Sequence, residues 1–286
     1  MTRHRFDLLD VFAERPLEGN PLAVVHDADG VSHQVMLRLA RRLRLSETSF
    51  VQVADDGADY RNRIWTVERE IPFAGHPSIG TAVAVALARG MTTGRLIQRT
   101  LAGDQPLEVE IDHAEGRGRA AMEVQPVDVG PAVDPVAFVG ACSLHPGDVA
   151  AEPEARLVSV GLPTLIVPLR SLDALGRIRV DWPAFERGLA THAAPRDLNV
   201  YFVVETEPGS WRARCLAADL PGGEDPATGS AAAAFGGYLA TVRGPGIVRV
   251  LQGVEMGDPS HIEVDTRTGI VLGGQAIVRA TGTIDL

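Results

Sequence analysis

The sequence predicts an α+β protein made of two similar halves, each a curled, mostly antiparallel sheet around one central helix. Three observations predict this class: a short motif occurs twice, strand-like segments with short turns dominate the chain, and an alanine-rich apolar run follows each copy of the motif. A helix that is apolar on every face is buried. Small side chains then let strands pack closely around it.

The repeated motif reads GHPSIGTA at 75–82 and EDPATGSA at 224–231. Proline, glycine, a hydroxyl residue and alanine occupy the same four places, so that His76 corresponds to Asp225, 149 residues further on. That offset is close to half of the 286-residue chain, which indicates a duplicated domain. A capped core helix would explain either copy alone, whereas two copies at mirrored positions favour a functional pair facing one cleft.

Each copy also predicts a helix start, because proline suits the first helical turn. We expect helices over about 77–89 and 227–241, with His76 and Asp225 at or next to their N-caps. Unpaired N–H groups and the positive end of the helix dipole attract anions there.

The other elements follow from hydrophobic periodicity. An amphipathic helix is predicted over 31–43, with an apolar residue at every third or fourth position. Alternation of apolar and polar residues is typical of half-buried antiparallel strands, and the short turns argue against a parallel βαβ sheet. Strands are predicted at 6–12, 22–25, 49–53, 60–67, 107–111, 120–124, 156–160, 164–169, 199–205, 211–217, 247–251, 261–264, 270–272 and 276–280.

A stretch rich in proline, glycine and aspartate, 126–135, reads as the linker between the halves. The predicted domains are 1–127, with the final strand 275–286 as a further candidate member, and 128–274. The active site is expected in the cleft between them.

Composition excludes several classes of function. The net charge is −10 and no basic tract is present, so nucleic acid and anionic membranes are not expected partners. The chain has no lysine, which excludes Schiff-base chemistry and a Walker A site. No apolar run is long enough to span a bilayer, and no signal-peptide h-region opens the chain. With two cysteines, Cys142 and Cys215, no disulfide framework is expected, and a cytoplasmic location is predicted.

Proton transfer is the chemistry that the remaining motifs favour. Glu47 lies in a polar run, 46–49, between the predicted helix and a strand; this run is either a plain loop or holds a carboxylate for proton shuttling. No metal-ligand cluster, nucleophile elbow or dinucleotide-binding motif occurs, so no metal and no cofactor is expected. Both cysteines are expected to be packing residues. Glu47, His76 and Asp225 are then the acid–base candidates.

These residues resemble the PhzF family of phenazine-biosynthesis isomerase-like proteins over nearly the whole chain. Five motifs carry the resemblance in order: DVF with GNPLAVV at 10–25, LSETSFV at 45–51, FAGHP at 73–77, EDPATGSA at 224–231 and LQGVEMG at 251–257. The family implies the diaminopimelate-epimerase-like fold. The epimerases of that fold carry a catalytic cysteine in each half; Ala74 stands near the first position and no thiol lies near Asp225, so two-cysteine racemisation is not expected.

The resemblance implies a cofactor-independent isomerase acting on a small cyclic carboxylate, most like trans-2,3-dihydro-3-hydroxyanthranilate. Glu47 would take the C3 proton and return it elsewhere on the conjugated system, while His76 and Asp225 would bind polar groups and assist. A homodimer is the expected assembly. Residues implied to line the substrate pocket are Ser46, Gly75, Thr228, Gly229 and Ser230.

Two departures from the family pattern bear on this expectation. Asp258 stands where arginine is usual, which reverses a charge and puts local packing or a subunit contact in doubt; Val67 replaces a usual proline. An acid–base epimerase of an amino-acid-like substrate and a non-catalytic small-molecule binder remain as alternatives.

Overall fold

The structure is a computed structural model that describes residues 2–55 and 57–286. Its strands are β1 Arg3–Val11, β2 Asn20–Val25, β3 Thr48–Gln52, β4 Tyr60–Trp65, β5 Glu70–Ile71, β6 Thr93–Thr100, β7 Gly103–Asp112, β8 Arg117–Glu123, β9 Asp128–Ala132, β10 Arg156–Ser159, β11 Pro163–Pro168, β12 Asn199–Glu207, β13 Ser210–Leu216, β14 Glu224–Asp225, β15 Ile247–Gln252, β16 Ser260–Asp265 and β17 Val271–Asp285. Its α-helices are α1 His33–Leu43, α2 Gly75–Ala88, α3 Val136–Ala141, α4 Leu172–Arg177, α5 Trp182–Thr191 and α6 Gly229–Arg243.

The chain forms two compact units. The first runs to Glu123 and takes in Leu272–Leu286, and the second is Val124–Val271. In the first unit, β17 pairs with both β1 and β8. The strands β2, β3, β4, β6 and β7 pair in that order between β1 and β8. This sheet therefore closes on itself, so that each of these eight strands is paired on both sides, while the two-residue β5 pairs with β4 alone among the described strands.

Both units use the same order of strand pairings. From β1 to β7 the pairs are antiparallel, parallel, antiparallel, antiparallel, parallel and antiparallel. From β10 to β16 the same six relations recur in the same order. The duplication that the sequence motif indicates is thus present in the topology, and the predicted α+β class is confirmed.

The two alanine-rich helices are buried, as their uniform apolarity predicts. Within α2 the residues from Gly75 to Ala86 are buried, and within α6 nearly all from Gly229 to Leu239 are buried. Close approach explains the small residues: a Cβ at Gly236 would lie 2.6 Å from Val264, and one at Gly237 would lie 2.7 Å from Ile270.

The same ion pair occurs in both units and shows which residues of the two repeats correspond. Arg63 on β4 forms a bidentate pair with Glu70 on β5 at 2.7 and 2.5 Å. Arg214 on β13 pairs with Glu224 on β14 in the same way, at 2.7 and 2.8 Å. Each glutamate begins the short strand that leads into a central helix.

The sequence alignment of the two motifs is therefore wrong by five residues. The helices begin at Gly75 and Gly229, so Ala74 corresponds to Thr228 and His76 corresponds to Ser230. Asp225 lies on β14, four residues before the helix and not next to its N-cap. The shared proline is not an equivalent position in the two units, because Pro77 lies inside α2 whereas Pro226 precedes α6.

Several other expectations also fail. The predicted linker 126–135 contains β9, which pairs with β10 inside the second unit. The helices α3, α4 and α5 and the strand β6 were not predicted. The helices α3 and α5 pack into one apolar core, where Phe138 and Phe185 meet edge to face at 5.2 Å, so tertiary burial stabilises segments whose sequence signal is weak.

We expect Gly80→Ala to destabilise the first unit by about 1–3 kcal/mol, the usual cost of overpacking. A Cβ at Gly80 in α2 would lie 2.6 Å from side-chain atoms of both Val11 and Leu22. Urea unfolding would measure the change. Gly140→Ala in α3 is the matched control, since a Cβ there meets nothing within 4 Å and alanine favours the helix. Equal midpoints for the two variants would contradict the close packing around α2.

Candidate active site

Glu47 and His76 come together in the first unit. Glu47 directly precedes β3, whose first residue, Thr48, is held between Ala23 on β2 and Trp65 on β4. His76 is the second residue of α2. The Glu47 Oε2 atom lies 3.1 Å from His76 Nδ1, and the two side chains are only 15% and 4% exposed. The sequence thus placed both residues correctly at element ends, and the fold makes them neighbours.

The reactive atoms of this pair are buried without a hydrogen-bond partner among the described residues. Glu47 Oε2 is in this state because its 3.1 Å contact with His76 Nδ1 does not meet hydrogen-bond geometry, and His76 Nε2, on the other side of the ring, is in the same state. A buried polar atom left unpaired costs on the order of 1–3 kcal/mol. A catalytic role or a partner supplied by a ligand is one explanation for such an atom.

The helix start at this point is also uncapped. Ala74 is the N-cap residue of α2 and makes no side-chain capping bond. The N–H groups of Gly75 and His76 therefore remain available in the first turn, while Pro77 has none. An uncapped helix start beside a histidine can bind an anionic group.

Asp225 lies in a second polar group, inside the second unit. Its Oδ2 accepts a hydrogen bond from Thr228 Oγ1 at 2.8 Å. Thr228 is the N-cap residue of α6, yet its side chain does not cap the helix, because its hydroxyl donates to Asp225 instead. The starts of both central helices are thus without a side-chain cap, and each adjoins a candidate acid–base residue.

Two buried residues of this group were not predicted as site residues. Gln252 at the end of β15 donates from Nε2 to the backbone oxygen of Asp225 at 2.8 Å and to Thr228 Oγ1 at 2.9 Å. Tyr201 on β12 donates from its hydroxyl to Gln252 Oε1 at 3.0 Å. Gln252 belongs to the motif LQGVEMG at 251–257, but the motif does not show what the side-chain amide contacts. Those contacts depend on the pairing of both β12 and β15 with β13.

The other predicted pocket residues lie beside Glu47 or at the starts of α2 and α6. Ser46 precedes Glu47 and is partly buried. Gly75 begins α2, Gly229 begins α6, and Ser230 is the second residue of α6, the counterpart of His76.

The cysteines are confirmed as buried residues. Cys142 packs into the apolar core of the second unit, and burial raises the pKa of its thiol to about 12. Cys215 lies opposite Asp225 in the β13–β14 pair, and burial raises the pKa of its thiol as well. Thiolates are the reactive form of cysteine, so the burial of both thiols disfavours a nucleophilic role at neutral pH.

Asp258 lies in the turn that follows Gln252. Its backbone N–H donates to Gly253 O at 3.1 Å, and a Cβ at Gly253 would lie 2.7 Å from the backbone oxygen of Pro226. The turn therefore packs directly behind the residue that follows Asp225. Partial burial raises the pKa of the Asp258 carboxyl above its ordinary value.

The described residues contain neither a metal-ligand cluster nor a membrane-spanning helix. No group of three or more histidine, cysteine, aspartate or glutamate side chains is arranged to hold a metal ion in 2–55 and 57–286. Over the same ranges, none of the helices combines the length and the apolarity needed to cross a bilayer.

Comparison with known proteins identifies the family. The family model described as phenazine biosynthesis-like protein matches residues 9–282. A Mesorhizobium japonicum protein described as an uncharacterized isomerase is 34% identical, with 99% of each chain covered. The trans-2,3-dihydro-3-hydroxyanthranilate isomerase of Pseudomonas aeruginosa is 33% identical over 91% of this chain and 89% of its own.

A solved structure agrees in fold as well as in sequence. The chain matches a predicted epimerase of Pseudomonas aeruginosa with a TM-score of 0.83 and 31% identity, covering 99% of both chains. Together with the family-model match, these similarities settle membership: the chain belongs to the phenazine biosynthesis-like (PhzF) protein family and is an isomerase.

Proposed function

We propose that this protein is a cofactor-independent isomerase that moves a proton and a double bond on a small cyclic carboxylate, most like trans-2,3-dihydro-3-hydroxyanthranilate. The Glu47–His76 pair carries the proposal: a carboxylate and an imidazole lie 3.1 Å apart, nearly buried, and His76 Nε2 has no hydrogen-bond partner among the described residues. The relative of that name in Pseudomonas aeruginosa supports the choice of substrate.

In the proposed reaction Glu47 is the base. The C3–H bond breaks, the proton passes to a Glu47 carboxylate oxygen, and the electron pair enters the conjugated system. The double bond shifts, and the protonated Glu47 returns the proton to a carbon at the other end. No atom is gained or lost, so the reaction requires no external oxidant or reductant. The low exposure of Glu47, 15% for its side chain, places the carboxylate in a site that largely excludes water during the transfer.

His76, Asp225 and the helix starts would bind the substrate. His76 directs Nδ1 to Glu47, which leaves Nε2 for a polar group of the substrate. The uncapped N–H groups at Gly75 and Gly229 suit its carboxylate, and they gain strength in a water-poor site. Because Asp225 and Glu47 belong to different units, the proposal requires one substrate to contact residues of both.

A direct assay tests this function. The purified protein would be mixed with trans-2,3-dihydro-3-hydroxyanthranilate, and the change of its conjugated system would be followed by ultraviolet absorbance and proton NMR. Running the reaction in D₂O reports whether the proton returns from a carboxyl group that exchanges with solvent. No consumption of this substrate by folded protein would overturn the choice of substrate.

An acid–base epimerase is the second candidate, since the matched solved structure is described as a predicted epimerase. The N-cap positions hold Ala74 and Thr228, so the two central helices do not begin at thiols. Epimerisation of an amino-acid-like substrate would then depend on Glu47 and Asp225. Deuterium incorporation at an α-carbon with inversion, measured over a panel of amino acids, would favour this alternative.

We further propose a cytoplasmic location and a homodimeric assembly. The two free, buried cysteines suit a reducing compartment. Size-exclusion chromatography with light scattering measures the assembly, and a monomer at all concentrations would contradict it.

We expect turnover to be indifferent to thiol reagents and to chelators. The proposed chemistry uses neither sulfur nor metal, and the two cysteines are buried. Activity would be assayed after iodoacetamide treatment and after exhaustive EDTA dialysis, with circular dichroism to check folding. Loss of activity in a sample that remains folded would contradict the cofactor-free mechanism.

A further inference from the structure

We infer that Gln252, supported by Tyr201, is a positioning residue that fixes Asp225 as an ionised hydrogen-bond acceptor. The inference rests on the proposed function in one respect: it assumes that Asp225 meets the substrate. Gln252 and Tyr201 are both fully buried, and Thr228, which stands between Gln252 and Asp225, is 9% exposed. All three lie within the second unit together with Asp225.

The backbone fixes the orientation of the Gln252 amide. Its Oε1 accepts from the backbone N–H of Thr228 at 3.3 Å, and its Nε2 donates to the backbone oxygen of Asp225 at 2.8 Å. Backbone N–H and C=O groups cannot exchange roles, so the amide nitrogen and oxygen can be assigned only one way round. Gln252 therefore clamps both ends of the segment that links Asp225 to α6.

This orientation dictates the direction of the Thr228 hydroxyl. Gln252 Nε2 donates to Thr228 Oγ1 at 2.9 Å, so the Thr228 oxygen is an acceptor in that contact. Its single proton is then directed to Asp225 Oδ2 at 2.8 Å. Hydrogen bonds to an ionised acceptor are roughly twice as strong as neutral ones. The carboxylate form of Asp225 is accordingly the form that this arrangement stabilises.

Tyr201 completes a one-way chain of donors. Burial raises the pKa of its phenol well above the ordinary value, so the hydroxyl stays protonated and donates to Gln252 Oε1 at 3.0 Å. Donation then runs from Tyr201 to Gln252 and from Gln252 through Thr228 to Asp225. Buried hydrogen bonds in such a network strengthen one another.

This chain of hydrogen-bond donors indicates the chemical class of the substrate group that meets Asp225. An ionised carboxylate accepts hydrogen bonds, so the substrate group at Asp225 is an amine or a hydroxyl rather than a second carboxylate. The substrate carboxylate is then left to the helix starts. The inferred substrate is thus a small carboxylate that also carries a nitrogen or oxygen donor.

Charged and titratable groups on the neighbouring strands set the background for any titration of Asp225. Cys215 on β13 lies directly opposite, and burial raises the pKa of its thiol. Glu224 precedes Asp225 on β14 and is neutralised by Arg214 on β13. Tyr201 on β12 remains protonated. Removing Gln252 or the Tyr201 hydroxyl changes none of these charges.

NMR titration of the Asp225 carboxyl tests the inference without any substrate. Protein labelled with ¹³C at aspartate carboxyls would be titrated, with the Asp225 signal assigned by its loss in Asp225→Asn. We expect Gln252→Met to raise the midpoint by about one pH unit, a roughly tenfold gain in proton affinity, because the directed donor is lost. Tyr201→Phe should shift it in the same direction by less.

The first unit supplies matched controls. Tyr60 and Gln98 are also buried and also bonded, from the tyrosine hydroxyl to Gln98 Oε1 at 3.4 Å. Tyr60→Phe and Gln98→Met should lower stability comparably and leave the Asp225 midpoint unchanged. An unchanged midpoint in Gln252→Met, or an equal shift in the controls, would overturn the inference. If Gln252→Met does not fold, Tyr201→Phe decides alone.

This readout separates the inference from the proposed function. Wild-type protein that neither binds nor turns over the proposed substrate would remove the proposed function, while the Asp225 titration would still test the chain of donors. A shifted midpoint with unchanged substrate KM and kcat would overturn the claim that Asp225 meets the substrate.

Discussion

We expect Glu47→Gln to reduce turnover by at least ~10²-fold while the protein remains folded. Glutamine keeps the size and shape of the side chain but cannot accept a proton, and a positioned acid–base group contributes about 10²–10⁴-fold to rate. Substrate affinity should change far less than kcat, because the amide still fills the space beside His76. Steady-state kinetics on trans-2,3-dihydro-3-hydroxyanthranilate measure both quantities.

Glu70→Gln is the matched control for this substitution. Glu70 is also a partly buried glutamate of the first unit, with its side chain 14% exposed against 15% for Glu47. It pairs with Arg63, so its replacement weakens an ion pair and lowers stability without touching the Glu47–His76 pair. Turnover by Glu47→Gln within a few-fold of the Glu70→Gln value would remove Glu47 from the mechanism.

The parts of the fold that the sequence predicts are those with strong local signals. The two central helices were predicted within two residues at all four ends, because a run of small apolar residues is stable only in a core. Most strands were predicted, several of them from the alternation of apolar and polar residues. His76 was found as a candidate because it lies in the repeated motif, and Glu47 because it lies in a polar run between a predicted helix and a predicted strand.

The parts that were missed depend on tertiary contacts. The residue-by-residue correspondence of the two repeats follows from the Arg63–Glu70 and Arg214–Glu224 pairs, and each pair joins residues on different strands. The role of Gln252 likewise depends on β15 lying beside β13, a pairing that no local pattern encodes. The stretch 126–135 has a linker-like composition, yet it supplies β9 because β10 offers it hydrogen bonds. Composition describes a segment, whereas these features belong to pairs of segments.

We expect His76→Ala and Asp225→Ala each to weaken binding of 3-hydroxyanthranilate by more than the ±0.5 kcal/mol typical of exposed substitutions. The proposed function has both side chains bind one ligand, His76 through Nε2 and Asp225 as an ionised acceptor. Isothermal titration calorimetry of the two single variants measures each loss. Glu115→Ala, which removes an exposed carboxylate in the turn between β7 and β8, controls for the change of net charge.

The double variant then tests whether the two residues serve one ligand. Residues that share a partner give losses that do not add, with coupling of about 0.5–3 kcal/mol, whereas independent sites add within ~0.5 kcal/mol. We expect the double variant to lose less affinity than the two single losses together, because a ligand released by one residue is no longer held in place for the other. Additive losses would mean that His76 and Asp225 do not act on a common ligand, and the proposed isomerase mechanism would fail, since it requires Glu47, His76 and Asp225 to act on the same molecule.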